Sequence, residues 1–278
     1  MIIWISSYPK SGNTWVRSIV SSIMFSKDGL FNFDLIKKIP QFPRRKYFKD
    51  FTNDYHNLNE IKKYWIFAQE KINLNNEINF FKTHQLNCKI DDYHFTNKEC
   101  SAGVIYIVRD PRNLINSISN HFNKTEEGAK KFLMSKSLIG ISKESNKEHD
   151  IATVLGTWGE HYQFWTKNTE NLLLIKYENL IKNPLLELDR IINFIKKFTY
   201  FEMSKKKKEN IIKSTSFESL KKLEIEGKFT ENVYDKNNKK INFFNKGPNN
   251  IWKDNLNTHI QEQIEKEFKI EMKELGYI

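Results

Sequence analysis

The sequence predicts an α/β fold with a central parallel β-sheet flanked by helices. Three observations carry that expectation. Short apolar runs stand at Ile2 to Ser6, Val104 to Val108 and Leu172 to Ile175, with a weaker fourth at Asn79 to Lys82. Each has strand length rather than helix length, and the first two lead directly into helix-start chemistry. Strands that alternate with helices pair in parallel and collect ligands beyond their carboxyl ends.

Taken in order, the first run opens the chain and passes into a Pro/Gly-containing turn. Trp15 to Phe25, broken by Arg17 and by serines, reads as an amphipathic helix. Asp110 before Pro111 places an N-cap residue ahead of a proline at the first helical position, and Asn183 before Pro184 repeats the device. Leu185, Leu188, Ile191, Ile192 and Ile195 then follow at helical spacing. Residues 26 to 76, 120 to 150 and 223 to 242 lack a strong pattern and are candidates for covering or acceptor-binding loops. No repeat or Pro-rich linker divides the 278 residues, so one domain over 1–278 is expected.

The composition narrows the function classes. With 39% hydrophobic and 14% aromatic residues the chain is globular rather than disordered. No apolar run approaches the roughly 18 residues that span a bilayer, and Met1 leads straight into the first strand without a basic-then-apolar leader. A cytoplasmic protein without a membrane partner is expected. Cys88 and Cys100 make neither a disulfide framework nor a CxxC metal site and are expected as reduced thiols. No metal cluster is visible. The net charge of +11 could suit nucleic acid. Only six of the 45 basic residues are Arg, however, and Lys205 to Lys208 reads as a solvated helix face. No nucleic-acid partner is expected, and no oligomeric state is read from the sequence.

Chemistry concentrates first at Tyr8-Pro9-Lys10-Ser11-Gly12-Asn13-Thr14-Trp15. A strand, a turn and a helix start present unpaired N–H groups with the positive end of the helix dipole behind them. Lys10 adds a full charge, while Ser11, Asn13 and Thr14 add donors. The segment suits an anion, above all a phosphate. It is not a Walker A loop, which needs G-x-x-x-x-G-K-[ST]; here Lys10 precedes Gly12, and no Gly stands five residues earlier. A second feature is Arg109-Asp110-Pro111-Arg112 at the end of the Val104 strand, with Ser117 eight residues after Arg109. An Arg fork and a hydroxyl can grip a second phosphate.

The octapeptide resembles the 5′-phosphosulfate-binding loop of the cytosolic-type sulfotransferases. These use 3′-phosphoadenosine 5′-phosphosulfate (PAPS) and leave adenosine 3′,5′-bisphosphate (PAP). The resemblance implies a P-loop-like three-layer fold and continues in order along the chain. Arg109 and Ser117 match the pair that binds the 3′-phosphate. Phe81-Lys82-Thr83-His84 resembles the K-T-H element, which implies His84 as general base and Lys82 as a stabiliser of the transferring group. A histidine suits that task because its ordinary pKa lies near the working pH. Lys10 is implied at the 5′-phosphate and the leaving oxygen, together with the loop at Gly12. Leu174 to Leu180 resembles the strand and Y-E-D-L turn, with Asn179 in place of Asp and Tyr177 toward the adenine. Ser214 to Glu218 resembles the T-S-F segment and brings Thr215 and Phe217 to the same pocket, where Trp15 would stack on the base. Phe243-Phe244-Asn245-Lys246-Gly247-Pro248 resembles the R-K-G segment, with Phe244, Lys246 and Gly247 implied at the cofactor. Asn245 stands where that segment carries an Arg for the 3′-phosphate, a loss on the order of 1.5 to 3 kcal/mol unless another cation compensates.

The activity implied is sulfuryl transfer to a hydroxyl or amine of a small-molecule acceptor. Phe42, Tyr47, Phe48 and Phe80 suggest an apolar wall for it, although core packing accounts for them equally well. Two rival readings stay open at this point. One is a P-loop-type small-molecule kinase with Asp110 imitating a Walker B carboxylate. The other is a noncatalytic nucleotide- or RNA-binding protein.

Overall fold

The structure, a computed structural model, describes residues 1–141, 151–229, 231, 233–234 and 240–278. Its centre is a four-stranded sheet of β1 (Ile2–Ser7), β2 (Asn79–Thr83), β3 (Ser101–Val108) and β4 (Leu172–Lys176), ordered β2-β1-β3-β4. Every pairing is parallel, with Ile3 opposite Phe80 and Gly103, and Ile105 opposite Leu173. All four apolar runs are therefore strands, each extending a little beyond its run. The weaker one, β2, lies directly beside β1. Its other side carries a short parallel contact, with Lys82 N–H donating to Pro40 O and Phe42 N–H to Lys82 O, both at 2.9 Å.

Alternation along the strands builds two cores, one on each face of the sheet. Ile2, Trp4, Phe81, Val104, Tyr106 and Val108 point to one face, while Ile3, Ile5, Phe80, Ile105, Ile107 and Ile175 point to the other. Burying a side chain of this size contributes about 1.5–3 kcal/mol, so a one-residue slip in register would be costly. On the second face pack α1 (Asn13–Phe25), through Val16, Ile19, Val20 and Ile23, and α5 (Pro184–Ile195), through Leu188, Ile191, Ile192 and Ile195. The first face is covered by α2 (Pro111–Phe122) and α3 (Trp158–Lys167), which bury Leu114, Ile115, Ile118, Trp158 and Trp165.

Asp110 caps α2 as expected, its carboxylate accepting Arg112 N–H, with Pro111 at the first position. Asn183 precedes α5 but makes no side-chain cap bond. It also closes the preceding helix α4 (Tyr177–Lys182), donating its N–H to Asn179 O. Phe42, Phe48 and Phe80 are not an acceptor wall. Phe42 and Phe48 pack with Trp4, Phe81 and Phe95 on the first face, and Phe80 sits in the core of the second. Tyr47 leans on Phe42 and Phe81. Rings of that size are more stable in the core than on a cavity wall. Two further helices, α6 (Lys205–Ser214) and α7 (Phe217–Ile225), close the end of the molecule near α1. There Phe31, Phe33, Leu220, Phe229 and Phe244 form a third, smaller core.

Candidate active site

A cavity of about 540 Å³ opens beyond the carboxyl ends of β1, β2 and β3. It is lined by Lys10, Gly12, Asn13, Thr14, Trp15, Lys82, His84, Arg109, Ser117, Tyr177, Phe217, Phe244, Asn245, Lys246 and Gly247, residues drawn from every motif singled out in the sequence. Two expected residues do not reach it. Ser11 is buried beneath the loop, and Thr215 turns its hydroxyl back to donate to Ile211 O at 2.7 Å, as a residue at a helix end does when no ligand competes.

The loop between β1 and α1 owes its shape to two left-handed residues, Lys10 at φ 70° and Gly12 at φ 104°. For Lys10 that conformation costs on the order of 1–3 kcal/mol, a strain that persists only where surrounding contacts fix it. A β-carbon on Gly12 would lie 2.6 Å from Tyr177 Cδ2, so the loop closes against the Tyr177 ring only because position 12 is glycine. The N–H groups of Gly12, Asn13 and Thr14 find no acceptor among the described residues. They form the open donor array of a helix start. The amide of Asn13 does not join it. Its Nδ2 donates to Ile5 O at 2.9 Å and Ser7 Oγ at 3.2 Å, bracing the strand end instead.

That strand end sets the tautomer of His84. The Nδ1 of His84 is 2.7 Å from Ser7 O. A carbonyl can only accept, so Nδ1 carries the proton and Nε2 holds a lone pair on the cavity side. The carbonyl of His84 accepts Nε2–H of His161 at 3.1 Å, which leaves His161 Nδ1 to accept from Tyr106 OH at 2.8 Å. Trp165 Nε1 donates to the next carbonyl, Gln85 O. Burial, then Lys82, hold His84 well below the usual histidine range despite the Ser7 bond. It is neutral at neutral pH.

Two lysines share this end. Burial first, then Lys82 and Arg109, bring Lys10 down to about 7. Burial, reinforced by Arg17 and Arg44 against the opposing pull of Glu231, brings Lys82 to about 8. Lys10 Nζ rests 3.9 Å over the Phe243 ring and donates to His121 Nδ1 at 3.4 Å. His121, pushed to about 3 by burial and by both lysines, is a neutral acceptor.

At the opposite end Arg109 lies 4.0 Å over the Tyr177 ring and reaches Gly247 O with Nη2 at 3.5 Å, while its buried Nε has no partner. Ser117 Oγ accepts from Asn250 Nδ2, which also donates to Asn113 O. Trp15 meets Tyr177 edge-on, and Phe217 meets Phe244 the same way. The Phe217 ring fills the space where any β-carbon on Gly247 would stand. Glu224 on α7 accepts Phe243 N–H at 2.6 Å and Phe244 N–H at 2.9 Å, pinning the loop that carries Asn245 and Lys246.

The sulfotransferase domain model matches residues 2–276. The chain belongs to the sulfotransferase family. The family's donor is PAPS, so this is a PAPS-dependent sulfotransferase, and PAP is what the donor leaves. Among curated relatives it is 27% identical to Cytosolic sulfotransferase 13 of Arabidopsis thaliana, over 96% of this chain and 75% of that protein. It is 23% identical to the 3-alpha-hydroxysteroid sulfotransferase of Cavia porcellus, over 96% and 82%. Among solved structures it superposes on mouse sulfotransferase SULT7A1 complexed with PAP with a TM-score of 0.59 at 19% identity, covering 98% and 84% of the two chains. Retinol dehydratase in complex with androsterone and PAP gives 0.60 at 17% identity, covering 98% and 80%. These likenesses show the shared fold.

The sulfotransferase cavity fits a nucleotide with an anionic group at each end. Open N–H groups and two lysines stand at one end. The unpartnered Arg109 Nε and the Ser117 hydroxyl stand at the other, with aromatic rings between. Several lining or supporting residues escaped the sequence reading. His121 follows Ser117 by one helical turn, which is the signal that would have found it. Asn250, Glu224, Gln41, Arg44 and Glu231 reach the site through loop and helix placement that no local pattern encodes. Among the described residues no group of three or more His, Cys, Asp or Glu could hold a metal, and no helix is long and apolar enough to cross a membrane.

Proposed function

We propose that this sulfotransferase moves the sulfuryl group of PAPS to a hydroxyl or amine of a small-molecule acceptor, with His84 as general base. The observation that carries the reading is the His84 tautomer: Nδ1–H is committed to Ser7 O, and Nε2 is left as a neutral base in the cavity that Lys10 and Lys82 also line. The names of two relatives specify a 3-alpha-hydroxysteroid and a flavonol, which supports a small hydroxyl-bearing acceptor.

PAPS supplies the sulfuryl group when bound. His84 Nε2 takes the acceptor proton, a role worth roughly 10²- to 10⁴-fold. Lys82 stabilises charge on the transferring oxygens. Lys10, with the N–H groups of Gly12, Asn13 and Thr14, receives the 5′-phosphate and the charge that develops on the leaving oxygen. Arg109, Ser117, Lys246 and the Gly247 backbone hold the 3′-phosphate. Trp15, Tyr177, Phe217 and Phe244 enclose the adenine. Asn245 contributes no charge there, which leaves Arg109 and Lys246 as the cations at that phosphate. The domain comprises residues 1–278, and the relatives named cytosolic support a cytoplasmic location.

The kinase alternative is weakened by Asp110, the carboxylate it needs for Mg²⁺. That group is buried and forks with Arg112 at 2.7 to 3.2 Å. The experiment that tests the proposal is a melting comparison. PAP should raise the melting temperature far more than AMP or ATP with Mg²⁺, because binding to the folded state stabilises it by mass action. Equal shifts with ATP and Mg²⁺ would overturn the reading in favour of a kinase.

A further inference from the structure

We propose that the acceptor carries an oxyanion, such as a carboxylate, besides its reacting hydroxyl or amine, and that Arg44 receives that group. The inference rests on the sulfuryl-transfer reading and adds the chemical class of the second substrate.

Arg44 reaches the cavity through the extra strand-like contact on β2. Gln41 pairs in parallel with Lys82. Arg44 follows Gln41 by three residues, and His84 follows Lys82 by two. Both side chains line the same cavity.

The guanidinium has no hydrogen-bond partner among the described residues, and its Nε is buried. The other arginines nearby are committed. Arg17 donates to Ile36 O and Ile39 O and pairs with Glu231 at 2.8 Å. Arg45 meets His56 at 2.9 Å. An unpartnered buried N–H is an expensive state, and a ligand oxygen that fills it recovers the loss.

The commitments of the other charged groups point the same way. In the proposed complex Lys10, Lys82, Arg109 and Lys246 face the donor's anionic groups. Glu224 is committed to backbone N–H groups, and Glu231 hydrogen-bonds Arg17 while feeling Arg44 only through space. Among the described residues neither carboxylate engages Arg44 by a hydrogen bond. A planar Arg fork matches an oxyanion better than it matches a neutral hydroxyl.

The test uses matched acceptor pairs, 4-hydroxybenzoate against 4-hydroxybenzamide and glucuronate against glucose, with labelled PAPS. The acid should be preferred by about 10- to 100-fold in kcat/KM for at least one scaffold, the range of one charge-assisted contact. Arg44→Gln should bring that ratio toward one, and Arg44→Lys should keep part of it. A second readout needs no turnover: on PAP-loaded protein the acid should raise the melting temperature and the neutral analogue should not. Neutral members that serve equally well in both scaffolds would overturn the proposal. So would an Arg44→Gln protein that loses both members alike, or PAP-loaded protein unmoved by either acid. Failure of PAP itself to shift melting would instead strike the underlying sulfotransferase reading of the cavity.

Discussion

The guanidinium of Arg109 lies 4.0 Å over the ring of Tyr177, and the same ring closes against Gly12 of the phosphate loop. One aromatic side chain thus ties together the two ends of the cavity. Arg109 is already fixed before any ligand enters, and in the proposed reading it faces the 3′-phosphate, whose charge does not change during sulfuryl transfer, so its contact is equal in the ground and transition states. Arg109→Met is therefore expected to raise KM for PAPS, by about 10-fold or more, with a smaller effect on kcat. Saturation curves at constant acceptor decide the point, and an unchanged KM would refute the assignment of Arg109 to the 3′-phosphate.

Lys10 differs in kind. In the proposed reading it sits at the end where charge builds as the bond to sulfur breaks, so its contact strengthens in the transition state and acts on turnover. Lys10→Met is expected to depress kcat strongly. Because the lysine is buried at a cost, the ligand-free variant should melt no lower than the parent. A variant that changes only KM would contradict this division of labour between Lys10 and Arg109.

The lowered pKa values of Lys10, about 7, and Lys82, about 8, give binding a pH signature. In the ligand-free protein both are mostly protonated below about pH 6 and mostly neutral above about pH 9. An anion favours their charged forms and raises both values. PAP should therefore bind with uptake of about one proton at pH 7.5, rising toward about two at pH 8.5, and its affinity should fall as pH rises through that window. Calorimetry in buffers of different ionisation enthalpy measures the uptake directly. The same shifts make these lysines favour folding more as pH rises from 7 toward 10, because the unfolded chain then holds more protons than the folded one.

Glu224 holds Phe243 N–H and Phe244 N–H with its two oxygens. Glu224→Gln replaces one acceptor with a donor and leaves a buried N–H unpaired, a loss of about 1–3 kcal/mol. The loop carrying Lys246 and Gly247 should loosen, so the variant should bind PAP several-fold more weakly and melt earlier. A variant with wild-type PAP affinity would show that this loop does not hold the nucleotide.

Much of this arrangement is legible in the amino-acid sequence. The four strands announce themselves because buried parallel strands are nearly continuous apolar runs. The phosphate loop, Arg109, Ser117 and His84 lie immediately after strands or within two turns of a helix start, where local sequence and final position coincide. What the sequence hides depends on long-range placement. Thr215 and Ser11 look like donors, yet their hydroxyls turn inward. Phe42 and Phe48 look like a wall, yet they fill the core beside Trp4. Arg44 and Glu224 carry no local signature, because a contact on β2 and a helix-to-loop bond bring them to the site.

His84 as the base is tested most directly by sulfuryl transfer in the His84→Ala variant. Labelled PAPS is offered to wild type and variant with a panel of phenols, alcohols, sugars and amines, while PAP binding is followed by melting. Wild type should place label in an acceptor, and the variant should lose roughly 10²- to 10⁴-fold in turnover with an unaltered PAP shift. Wild-type turnover in the variant, or loss of PAP binding together with turnover, would contradict His84 as the base.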